Sequence, residues 1–122
     1  MNWQEAVNQA IELRHWLHQY PELTWEEKNT AEKIRQCLTK WGITWRACAK
    51  FGTVATIAAD ASGKNIALRA DMDALPILET AEVNFKSKES GKMHACGHDG
   101  HMAALLGTAL WLKEHEDELK NT

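Results

Sequence analysis

Met93-His94-Ala95-Cys96-Gly97-His98-Asp99-Gly100-His101 gathers a thiol, three imidazoles and a carboxylate into nine positions. Thiolate and imidazole suit zinc, while cobalt and manganese accept mixed nitrogen and oxygen sets. Gly97 and Gly100 allow a tight bend, so that neighbouring side chains can converge instead of alternating. Met102-Ala103-Ala104-Leu105-Leu106 then opens a helical pattern, which puts the cluster where a loop enters a helix. Asp99 is the expected N-cap of that helix, and His98 and His101, three apart, share a face if it begins early. A single buried Cys or His is ordinary packing. Five potential ligands within so short a stretch argue instead for an open, catalytic metal site. Cys37 and Cys48 do not supply the spaced pair that a closed structural zinc site would need.

The rest of the chain bounds the reading. Its 122 residues make one domain at most, with 44% hydrophobic and 25% charged residues, ordinary for a globular chain. A net charge of -3 offers no basic surface for nucleic acid. Three irregularly spaced cysteines suggest a reducing compartment, and neither a signal peptide nor a membrane-spanning run is evident, so a cytoplasmic location is expected. Five of the six tryptophans (Trp3, Trp16, Trp25, Trp41 and Trp111) fall in helical patterns and are expected to pack.

Trp3, Val7, Ala10, Leu13, Leu17 and Tyr20 recur at helical spacing, and Pro21 stops that first helix. His15 and His18 on it read as surface or packing residues. Thr24-Trp25-Glu26-Glu27 has capping-box spacing and predicts a second helix through Ala31, Ile34, Leu38 and Trp41, closed by Gly42. Glu26 and Glu27 are then explained by the helix dipole. Three β-rich runs follow, at 43–47, 53–58 and 65–69, with Asp60-Ala61-Ser62-Gly63 as the expected hairpin turn between the last two. Residues 79–92 read as a solvated or substrate-side loop, and the last helix is expected from about Gly100 to Leu119 with a solvated acidic end. The fold class is α/β: a β-sheet flanked by helices.

Arg69-Ala70-Asp71-Met72-Asp73-Ala74-Leu75-Pro76 falls at the carboxyl end of the third run, where α/β sheets collect their ligands. Asp71 and Asp73, beside the cation of Arg69, can orient a metal-bound imidazole or bind metal directly; the alternative is a polar loop with an Arg–Asp pair.

Leu13-Arg14-His15 to Leu17-His18 with Pro21-Glu22-Leu23, then Leu68 to Pro76, then Met93 to His101, resemble, in order, the metal-dependent N-acyl-amino-acid amidohydrolases. These are the hippurate hydrolase and auxin-conjugate hydrolase branch of the aminoacylase/carboxypeptidase superfamily. The resemblance implies a di-metal, aminopeptidase-like catalytic domain holding two divalent ions (zinc, manganese or cobalt), with a lid or dimerisation domain inserted later. It implies Cys96 and His98 as metal ligands and Asp71 as the carboxylate that steadies a ligand. Arg69 stands where other branches carry a histidine ligand, which implies that Cys96 takes over that contact. His94, Asp99, His101 and Asp73 are implied as supporting groups, His94 being the alternative ligand to Cys96. The general-base glutamate and its neighbouring glutamate ligand have no counterpart before Thr122. Residues 1–122 are therefore expected to be the N-terminal part of the catalytic domain, inactive alone, its substrate a small N-acyl amino acid. Two other readings remain open: a non-enzymatic module that binds metal weakly and pairs with itself or a complementary chain, and a thiol enzyme using Cys96 as nucleophile with His98 as base.

Overall fold

A computed structural model describes residues 1–120. The chain runs α1 (Trp3–Gln19), α2 (Lys28–Lys40), β1 (Thr44–Cys48), β2 (Gly52–Thr56), α3 (His98–Glu114) and α4 (Glu116–Lys120). Helices with a small antiparallel sheet meet the α/β expectation.

Helix α1 begins with a capping box: the Asn2 side chain accepts from Glu5 N–H at 2.8 Å and the Glu5 carboxylate accepts from Asn2 N–H at 3.2 Å. Helix α2 is capped differently from expectation. The Thr24 hydroxyl turns away and donates to Asp73 Oδ2 at 2.8 Å. Glu22 supplies the cap, its carboxylate accepting from Asn29 N–H (3.1 Å) and Thr30 N–H (2.6 Å). A carboxylate reaching two first-turn amides satisfies two orphan donors and meets the helix dipole. At the other end Gly42, at φ +73°, closes the helix as expected. Gly42 N–H reaches Thr39 O and Ile43 N–H reaches Leu38 O, which is the Schellman arrangement, and Leu38 and Ile43 both lie in the core beside it.

Strands β1 and β2 pair antiparallel, Thr44 opposite Thr56 through Cys48 opposite Gly52. The hairpin is thus formed by the first two β-rich runs, not the last two. Its three-residue connection closes the shortest available loop. The run at 65–69 forms no strand among the described residues, and Ile66 (86% exposed) and Leu68 (58%) are exposed. The Arg35 guanidinium pins the hairpin to α2 by donating to Gly52 O and Thr53 Oγ1 while lying over Trp45.

Leu13, Leu38, Ile43, Ala103 and Leu106 form the buried cluster, which joins α1, α2 and α3. Helices α1 and α3 approach closely at Gly107, where an added Cβ would stand 3.0 Å from Ala10 Cβ. The last helix starts earlier than expected and breaks at His115, whose Nδ1 donates to Trp111 O. Its acidic end is not wholly solvated: Glu116 accepts from Ala58 N–H and from Lys113 Nζ, both at 2.9 Å, tying the chain beyond β2 to the helix. Two tryptophans depart from the packing expectation. Trp3 is 58% exposed with its edge to Trp111, and Trp25 lies in a turn. A Gly107→Leu substitution should destabilise the fold by about 2–3 kcal/mol, because close-packed backbones cannot admit the side chain; chemical denaturation gives the value, and an unchanged midpoint would refute the close approach.

Candidate metal centre

Three segments far apart in sequence meet beside the start of α3. Ala74 N–H donates to Glu22 O at 2.8 Å, and Leu75 exchanges both backbone bonds with Met93 at 2.9 and 3.0 Å. Gly97 precedes α3 at φ +82°, a left-handed turn that delivers His98 as the first helical residue. His98 Nδ1 donates to Asp73 O at 2.9 Å and lies 3.1 Å from Asp73 Oδ1. With its proton on Nδ1, the ring keeps a lone pair on Nε2, which stands 3.9 Å from Asp71 Oδ2. Asp71 is itself paired with Arg69 at 2.7 Å, an exposed pair that contributes under about 1 kcal/mol. The Thr24 hydroxyl holds the Asp73 carboxyl below its ordinary range, with its own backbone N–H and His98 assisting against desolvation.

Cys96 is exposed, as is His101, whose ring centroid lies 6.0 Å from that of His98 on the same face. His94 is buried, and neither of its ring nitrogens has a hydrogen-bond partner. Burial pushes its pKa down, outweighing the opposing field of Asp99. An imidazole buried without partners forgoes about 1–3 kcal/mol per unmade bond, and its lone pair is chemically suited to a metal or a polar ligand. Among the described residues, however, no group of three or more His, Cys, Asp and Glu side chains is arranged to hold a metal ion. The donors near His98 fit a metal in kind but amount to part of a ligand set.

Asp99 is not the N-cap. Gly97 occupies that position and Asp99 points into the protein, 2% exposed, where its Oδ2 meets Arg14 Nε (3.1 Å) and His18 Nδ1 (2.8 Å). The other nitrogen of His18 lies 2.8 Å from Glu79 Oε2, and Glu79 Oε1 accepts from Ser87 N–H at 2.7 Å. Only the doubly protonated ring can donate to both carboxylates. Burial works to raise both acids, yet the His18 contacts and the Ser87 and Gly100 amides outweigh it and leave Glu79 and Asp99 below their ordinary values. Residues 79–92 are accordingly more than a solvated loop: Phe85 stacks on His15 at 4.0 Å and Lys88 N–H donates to Gln19 O. Sequence reasoning took His18 for a surface or packing residue and Thr24 for a helix cap, and gave Arg14 and Glu79 no place in the site; the structure instead puts His18 between Asp99 and Glu79 and Thr24 on Asp73. The one local signal was Arg14 and His18 at i, i+4 on a single helical face.

A sequence profile of peptidase family M20/M25/M40 matches residues 67–122. The N-acetyl-L-cysteine deacetylase of Bacillus subtilis (strain 168) is 51% identical over 121 residues, covering 98% of this chain and 29% of that protein. The chain belongs to the M20 family. The IAA-amino acid hydrolase ILR1-like 5 of Arabidopsis thaliana is 44% identical, covering 92% of this chain and 26% of that protein. Among solved M20 structures, the Bacillus subtilis YXEP protein, described as a dinuclear metal-binding peptidase, superposes with a TM-score of 0.89 at 42% identity, over 96% of this chain and 33% of its own. The chain thus spans under a third of the curated M20 relatives it matches. No described helix is long and apolar enough to cross a membrane.

The His18 bridge gives a prediction for acid. A carboxylate depressed in the folded state adds stability that is full above its unfolded pKa and is lost as pH falls through the folded value. For Glu79 and Asp99 the loss should begin below about pH 4.5. His18→Ala, which takes the shared partner from two buried carboxylates, should cost about 3 kcal/mol near neutrality and flatten that acid dependence; denaturation midpoints across pH 3 to 7 measure both, and a variant with wild-type stability would disprove the bridge.

Proposed function

We propose that this chain forms part of the catalytic domain of a hydrolase that cleaves N-acyl amino acids to a carboxylate and an amino acid, and that it has no such activity alone. The observation that carries the reading is the His98 ring, held at Nδ1 by the Asp73 carbonyl with Nε2 left open, two residues from the Cys96 thiol. In this reading Cys96 and His98 hold a divalent ion, zinc, manganese or cobalt, as one of a pair. When bound, such ions lower the pKa of water and polarise an amide carbonyl. Asp71, facing the open nitrogen of His98, orients the ligand; Arg69 restrains Asp71; and Asp73 fixes the ring. His94 offers a further donor behind Cys96, with Asp99 anchoring the turn and His101 beside it. The two carboxylates nearest His98 are already engaged, Asp73 by Thr24 and Asp71 by Arg69, so neither serves as the base. The named activities of the deacetylase and the amino acid hydrolase support an amide substrate. Three free cysteines accord with a reducing, cytoplasmic setting.

Cobalt titration tests the assignment directly. The chain should develop a thiolate-to-cobalt absorption band that disappears in Cys96→Ala and weakens at least about tenfold in apparent affinity in His98→Ala. Equal cobalt binding by all three proteins would overturn it, and substantial amide hydrolysis by the 122-residue chain would overturn its inactivity alone.

A second reading, a partner-dependent module, is favoured by the outward-facing Ile66, Leu68, Ile77 and Leu78. Sedimentation velocity should then show concentration-dependent association that Leu68→Lys suppresses; a monomer at all concentrations removes this reading.

A further inference from the structure

Among the described residues, no side chain caps the start of helix α3. The direction of its first turn therefore rests on what its first residues touch. Asp99, the second of them, is buried and meets His18 Nδ1 at 2.8 Å, and the other nitrogen of His18 meets Glu79 at 2.8 Å. His98, the first, donates to the Asp73 carbonyl. Successive helical residues stand about 100° apart, so a fixed direction for Asp99 fixes that of His98. The buried ring of His94 feels the charges of Asp99 and His18 as well as those of His98 and Asp73, so the two sets of groups are neighbours. His18, Glu79 and Asp99 are buried by residues of this chain alone. A buried charged set is a poor source of stability, since apolar packing of the same volume does as well or better. What hydrogen bonds from a rigid ring add over apolar packing is direction.

We propose that His18 is a positioning residue for the metal centre: pinned by Glu79, it holds Asp99 inward and so keeps Nε2 of His98 aimed for a divalent ion before that ion arrives. This rests on the functional reading given above, in which His98 is a ligand. Groups that orient a ligating imidazole change metal affinity without touching the ion. His18 acts in this way through Asp99 and the first turn of α3, from a helix some eighty residues earlier in the chain.

The test pairs cobalt titration of the 122-residue chain with NMR of the His98 ring nitrogens in the metal-free chain. The wild-type ring should carry its proton on Nδ1. His18→Gln, with its fold checked by circular dichroism, should bind cobalt about tenfold more weakly and show His98 exchanging between both tautomers. Leu38→Ala, in the core cluster, is the control: it should lower stability yet keep the wild-type cobalt affinity and tautomer. If His18→Gln does not fold, Glu79 supplies a second pair of variants. Glu79→Ala removes the pin and should weaken cobalt binding. Glu79→Gln should restore it, because the amide donates to Nε2 of a neutral His18 that still donates from Nδ1 to Asp99. Unchanged cobalt affinity and tautomer in folded His18→Gln or folded Glu79→Ala would overturn the proposal and leave the functional reading standing. An equal loss in Leu38→Ala would make the effect one of stability, with the same result. A wild-type chain that binds no cobalt would overturn the functional reading and the proposal together.

Discussion

The buried imidazole of His18 spans two buried carboxylates, Asp99 and Glu79. Asp99 comes from the first turn of α3 and Glu79 from the loop that leads back toward the Met93 segment. His18 itself projects from α1. Taking any one of these charges from water is costly, and only the full set returns that cost through mutual attraction and hydrogen bonds. Arg14 adds a cation to the set, its Nε 3.1 Å from Asp99 Oδ2. Because the members come from three segments, the arrangement forms only when α1, α3 and the 79–92 loop are all in place.

Its consequence for the candidate centre is geometric. Asp99 follows His98 directly, so fixing Asp99 inward fixes the phase of the first turn of α3 and turns His98 toward the Asp71–Asp73 loop. That loop is held from its other side by Glu22, which accepts from Ala74 through its carbonyl and from the start of α2 through its carboxylate. The ring of His98 is thus set by two independent anchors, one through the helix and one through the loop. Cys96 lies at the surface.

What the sequence made legible was local. The apolar spacing of α1 and α3, the stop at Pro21 and the left-handed closure at Gly42 each depend on chemistry within a few residues. The concentration of thiol and imidazole from His94 to His101 was readable for the same reason. Thr24 misled because its hydroxyl had a competing acceptor 49 residues away. The three β-rich runs look alike, and which two pair depends on loop closure and on available edges, neither of which appears in composition. The bond between His18 and Glu79 joins residues 61 apart, with no periodicity to announce it. The positive φ of Trp25 was equally hidden, since tryptophan in a run beside two glutamates reads as the first turn of a helix.

The close approach at Gly107 bears on how the molecule opens. With no side chain between them, α1 and α3 interlock backbone to side chain along Ala6, Ala10 and Gly107. Such surfaces separate all at once or not at all, because a partial gap forfeits much of the short-range attraction. The hairpin, by contrast, is fastened to α2 largely through Arg35 and Trp45 at its margin. Amide protons in the middle of the two long helices should therefore exchange with solvent only through global unfolding, while those of β1 and β2 escape through smaller, more frequent openings. Two cooperative units share one short chain, and His98 belongs to the slower of them.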